Sequence, residues 1–112
     1  MSKNRMVNTR FWDDSYIIDL DPSEKLLFLY LITNPRTETC GAYELPKRIA
    51  AVETGLDEGM IMKILLRFER DGKIVISDGW VWIKNFSKHQ VWNPSMKEGA
   101  EKTFALIPLK LR

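Results

Sequence analysis

Between Asp57 and Phe86 the apolar positions change period. Ile61, Ile64, Leu65 and Phe68 recur every three or four residues, the spacing of one helix face. Asp57 supplies an N-cap before them and Gly72 a stop after them. Beyond Gly72 come β-branched Ile74, Val75 and Ile76, then Val81 and Ile83, divided by Ser77-Asp78-Gly79. Asp-Gly between two apolar runs is the chemistry of a tight hairpin turn. A helix feeding a two-stranded hairpin is therefore predicted.

Upstream, Phe11 to Leu20 reads as a short helix with Trp12, Tyr16 and Ile17 or Leu20 facing inward. Asp21, Pro22 and Glu24 then form a helix start: an N-cap, a proline at the first helical position and a carboxylate at the third. Asn34-Pro35 ends that helix. The run Leu26 to Ile32 points in every direction around it, so the element is expected to be covered on all sides. Cys40 to Tyr43 is expected as a short strand, and a helix from Pro46 to Gly55 follows. Ile49, Ala50 and Thr54-Gly55-Leu56 have helix-turn-helix spacing, in which a small residue admits close approach and glycine takes the turn. After the hairpin, Asn85 to Trp92 reads as extended or irregular. Asn93-Pro94 then opens a last helix with the apolar stripe Met96, Ala100 and Phe104, ended by Pro108.

These elements add up to an α+β, mainly α fold: a winged helix-turn-helix with N-terminal and C-terminal helical extensions. Residues 1–92 are expected as the domain with its N-terminal extension, and residues 93–112 as a C-terminal helix and tail that could begin a linker. With 112 residues the chain suits one domain with a core of its own.

Apolar residues at 45% and charged residues at 29% fit a globular protein rather than a disordered one. The longest apolar run, Leu26 to Ile32, is too short to cross a bilayer, and no signal-peptide core follows Lys3, Arg5 and Arg10. Cys40 stands alone, which removes disulfide frameworks and points to an intracellular setting. The net charge of +2 matters less than its placement. Residues 1–12 carry +3, residues 13–24 carry −5, residues 57–71 carry −1 and residues 72–112 carry +4.

In a helix-turn-helix the start of the second helix meets base edges. Here that start holds Asp57, Glu58, Gly59, Met60 and Met62, which offer phosphates repulsion and bases no donor. Lys63, Arg67 and Arg70 do form a basic strip, and with the arm of Lys3, Arg5 and Arg10 they are the candidate nucleic-acid contacts. Local pairing of the strip with Glu69 and Asp71 is the plainer expectation. The hairpin tip carries Asp78 where a DNA-touching wing carries a cation.

Protein contact is the alternative use. Met62 and Leu66 widen the apolar face of the helix, and Trp80, Trp82 and Phe86 make the second strand apolar on its outer side as well. Either Phe11, Trp12 or the C-terminal stripe folds over the tryptophans, or a second subunit does. His89 is the only histidine and has no ligand spacing with Cys40 or a carboxylate, so no metal site is expected. No phosphate loop or nucleophile motif occurs, and the pairs Asp13/Asp14 and Asp19/Asp21 read as an acidic flank. No enzyme, no cofactor and no small-molecule substrate are expected.

A family resemblance rests on ordered segments: Asn8-Thr9-Arg10-Phe11-Trp12, Leu20-Asp21-Pro22-Ser23-Glu24-Lys25-Leu26-Leu27, Thr33-Asn34-Pro35 and Gly41-Ala42-Tyr43-Glu44-Leu45. It continues through Glu53-Thr54-Gly55, Phe68-Glu69-Arg70-Asp71-Gly72-Lys73, Trp82-Ile83-Lys84-Asn85-Phe86 and Lys88-His89-Gln90. Together they resemble the N-terminal domain of DnaD-like primosome proteins, above all the replisome organisers of phages and prophages of low-GC Gram-positive bacteria. The similarity covers nearly the whole chain. It implies a winged-helix domain that self-associates and helps bring the replicative helicase and its loader to DNA in the bacterial cytoplasm. It further implies that much of the DNA binding belongs to a separate C-terminal domain, which would begin near Arg112; the chain is thus expected to be a fragment or a short stand-alone version. A replication scaffold with weak or no DNA binding of its own is the leading expectation, and a small winged-helix transcriptional regulator the alternative.

Overall fold

The computed structural model describes residues 4–38 and 40–84. In chain order these residues form a 3-10 helix over Thr9–Asp13, α1 over Ser15–Ile18, α2 over Pro22–Thr33, β1 over Ala42–Glu44, α3 over Lys47–Thr54, α4 over Glu58–Arg70, β2 over Ile74–Ser77 and β3 over Trp80–Ile83. The strands make one antiparallel sheet in the order β1-β3-β2, and the helices cover one of its faces. This α+β arrangement is compatible with the winged-helix expectation.

Local chemistry accounts for the boundaries. Asp57 caps α4 by accepting the Met60 N–H at 3.1 Å. At the other end Lys73 N–H donates to Phe68 O and Gly72 N–H to Glu69 O, with Gly72 at φ +76°, which is a Schellman closure. Asp78 (φ +49°) and Gly79 (φ +81°) form a two-residue turn with both central residues left-handed, the geometry that matches strand twist. Gly55, at φ +81°, turns the chain between α3 and α4.

The core gathers on the inner sheet face. Val81 and Ile83 of β3 are buried with Ile74, and α4 contributes Ile61, Ile64, Leu65 and Phe68. Phe68 meets Phe28 of α2 edge to face, with centroids 5.2 Å apart, and Phe28 meets Phe11 at 6.0 Å. At the far end of α2, buried Asn34 donates to Tyr30 O and to Tyr43 Oη, while Tyr43 donates to Leu31 O. That hub answers its own polar groups inside the core.

Three expectations need correction. The segment 11–20 is two pieces broken at Asp14, whose extended backbone caps α1, and the break turns Phe11 inward while Trp12 stays 56% exposed. Leu26 is exposed and only one side of α2 is fully buried, because the helix lies on the core rather than through it. The first strand is Ala42–Glu44, starting after Gly41 rather than at Cys40. The elements expected after Lys84, including the stripe of Met96, Ala100 and Phe104, lie outside the described residues, as do Lys3, Phe86 and His89.

Candidate functional site

Two surfaces carry the sequence-derived candidates. The first is the outward side of α4, where Lys63, Arg67 and Arg70 line an open groove of about 800 Å³. The same groove is lined by three carboxylates, Asp21 and Glu24 at the start of α2 and Asp71 at the C-cap of α4. Three cations and three acids therefore share it.

Arg67 stands at the centre of that balance. Its guanidinium bonds Glu24, which is buried, and lies 3.6 Å from the Asp71 carboxylate. Glu24 accepts the Asp21 backbone N–H at 2.8 Å on its other oxygen, so one side chain both caps α2 and tethers α4. Burial pushes the Glu24 carboxyl up, but the Asp21 N–H and the Arg67 guanidinium outweigh it and hold the group below the usual carboxylate range. Asp71 in turn accepts from Tyr16 Oη at 2.7 Å, and Lys73 sits 4.6 Å above the Tyr16 ring. Burial, then the bond to Asp71, raises the Tyr16 phenol well above its ordinary range.

The basic strip is thus split. Arg67 is engaged with Asp71, as local pairing predicts, and also with Glu24 from 43 residues upstream. Glu69, the other expected partner, instead accepts the Ile76 N–H at 2.8 Å and braces β2. Lys63 and Arg70 are exposed and have no ion-pair partner among the described residues. Leu66 lies in the same groove at 53% exposure, with Met60 near it. Met62 is half-buried on the shoulder of the helix.

In the N-terminal arm Arg5 is likewise engaged. Arg5 donates from Nε to Thr37 Oγ1 at 2.8 Å and from Nη2 to Thr37 O, and Thr37 is fully buried. That guanidinium fastens the N-terminal segment to the loop after α2, and burial lowers its pKa. Arg10 is exposed.

The second surface is the outer face of the sheet. Register places Ala42, Trp82 and Val75 in one cross-strand row and Glu44, Trp80 and Ser77 in the next. Trp80 and Trp82 are half-buried and pack with Cys40 and Val75 around buried Ala42. The expected alternation holds, with Val81 and Ile83 on the inner side. Phe11 and Trp12 do not cover this face: Phe11 is in the core and Trp12 meets it edge to face at 5.1 Å. Leu66 and the tryptophans, grouped in sequence as one interface, lie in separate clusters. No group of three metal-ligating side chains occurs among the described residues, nor does a helix long and apolar enough to cross a membrane.

The roles of Glu24 and Tyr16 in this network are missed by sequence reading. The only signal is the run of −5 over residues 13–24, which does not say which cation answers it. No family profile, curated protein or solved structure compared with the chain matches it.

Proposed function

We propose that the chain is a non-enzymatic, winged-helix replication scaffold of the DnaD-like kind. It self-associates through the outer face of its sheet and has weak or no DNA binding of its own. The observation that carries this reading is the tryptophan face, where Trp80 and Trp82 present apolar area on the side of the hairpin away from the core. A half-buried sheet face of that composition gains from being covered further by protein. The groove on α4 supports the second half of the reading, since Arg67 is committed to Glu24 and Asp71 and duplex DNA would meet the Asp21, Glu24 and Asp71 carboxylates as well as Lys63 and Arg70. Its partners on this reading are a second copy of itself and replication proteins such as the helicase or its loader, in the cytoplasm of a bacterial host.

Light scattering at micromolar concentration, with a duplex titration at two salt concentrations, tests the proposal. The expected result is a dimer or larger species that becomes monomeric when Trp80 and Trp82 are both replaced by Ser, with no steep salt-dependent duplex binding. A monomeric wild-type mass would refute the self-association. The regulator reading draws on exposed Lys63, Arg70 and Arg10. Tight duplex binding lost on charge reversal of Lys63 and Arg70 would establish it instead.

A further inference from the structure

The groove on α4 has a feature that the scaffold reading does not use. Lys63 and Arg70 are two turns apart on one helix face, about 10 Å along the axis. Exposed Leu66 lies between them and exposed Met60 one turn before. Glu24 and Asp71 are both committed to Arg67, and neither Lys63 nor Arg70 has an ion-pair partner, Asp21 included, among the described residues. The groove therefore offers two discrete positive points flanking an apolar step, with a carboxylate rim on one side.

We infer that this groove docks an acidic amphipathic helix from a protein partner. The occupant carries carboxylates seven residues apart, answering Lys63 and Arg70, with an apolar residue between them that covers Leu66. Helix-in-groove recognition uses anchors at this kind of spacing. Charge complementarity selects the class of partner. A duplex presents a negative charge roughly every 1.7 Å of axis and cannot avoid the acidic rim. A helix can place two carboxylates and leave its other side neutral or basic toward Asp21. Leu66 and Met60 offer nothing to a phosphate, yet both gain from leaving water against an apolar side chain. The inference is independent of the tryptophan face, which lies in a separate cluster.

The probe is a synthetic helical peptide with Glu at two positions seven apart and Leu at the intervening third and fourth. It is titrated into the full chain while amide shifts are followed by NMR. Shifts centred on Lys63, Leu66 and Arg70 are expected, with affinity falling about tenfold or more in the Lys63→Glu/Arg70→Glu protein. The same reversed protein should bind the peptide in which both Glu are replaced by Lys, a rescue that misfolding could not produce. Leu66→Ser should weaken the original complex without altering the unfolding midpoint. Absence of binding, shifts confined to other surfaces, failure of the charge-swapped pair to recover affinity, or preferential binding of duplex DNA to the same residues would each overturn the inference.

Discussion

The outward side of α4 and the outer face of the sheet both lie away from the core, and their side chains are partnered differently. On α4, three cations meet three carboxylates, and one guanidinium is held by acids from two elements. On the sheet, Trp80 and Trp82 surround buried Ala42 with only Glu44 and Ser77 as polar neighbours in the outer rows. The first surface draws its order from within the chain, through the Tyr16–Asp71–Arg67–Glu24 network. The second leaves apolar area that a covering protein would stabilise. Of the three cations on α4 only Arg67 is committed inside the chain, which leaves Lys63 and Arg70 for an outside partner that tolerates the neighbouring carboxylates.

Both surfaces depend on one support. Phe68 is fully buried and touches Phe28 of α2 while anchoring α4 beneath the sheet. Phe68→Ala should lower unfolding free energy by about 3–5 kcal/mol, and urea denaturation would measure it. Tryptophan fluorescence and far-UV circular dichroism should then lose signal in one transition. Separate transitions would mean that the two faces are independently stable, and the comparison between them would fail.

Next in size is the contrast between Trp82 and Leu66. On the scaffold reading Trp82→Ser removes an aromatic anchor and should weaken self-association by about 2 kcal/mol, near thirtyfold in dissociation constant. Leu66→Ser, on the charged face, should leave the dissociation constant unchanged. Sedimentation equilibrium across a concentration series reads both. Equal losses from the two variants would mean that one continuous interface spans both surfaces.

What was legible in the sequence was whatever forms between residues a few positions apart. The Asp57 cap, the Gly72 closure, the Asp78-Gly79 turn and the alternation of β3 all depend on neighbours within one or two turns. What was not legible has a different cause. A single helix over residues 11–20 places Trp12 inward, whereas Asp14 breaks the segment and exchanges the roles of Trp12 and Phe11. The Arg5 contact is not announced, because Thr37 lies 32 residues away. Arg67 pairs locally with Asp71 as expected, but nothing near it in sequence announces its second partner, Glu24. Helix periodicity shows which side chains share a face, but the charges that another element brings to that face follow from packing.

The Glu24–Arg67 contact can be separated from the rest of the charged face by its pH dependence. The folded-state pKa of Glu24 lies below the ordinary value. Its stabilisation is therefore present above the usual glutamate pKa of about 4.3 and is lost as pH falls through the lowered folded value. Glu24→Gln should lower stability by about 1 kcal/mol at pH 7, since glutamine keeps an acceptor for the Asp21 N–H but loses the charge facing Arg67. The gap between wild type and variant should narrow once pH drops below about 4. Urea midpoints at pH 7 and pH 3 would measure it. A gap independent of pH would mean that the variant disturbs the cap or the packing of α2 rather than the ionic contact.

The smallest effect is expected where the charges are unanswered. Lys63 and Arg70 are exposed and have no ion-pair partner among the described residues, so replacing both with Gln removes no contact that folding forms. The change in unfolding free energy should stay within about 0.5 kcal/mol, as for surface substitutions in general. Thermal melts at low and moderate salt would detect more than that. A clear loss confined to low salt would show that the two cations already stabilise the fold by attraction to Asp21 and the acidic rim. The α4 face would then be charge-balanced in full, with no positive points left for an acidic helix. A null result keeps Lys63 and Arg70 available for contact with another molecule.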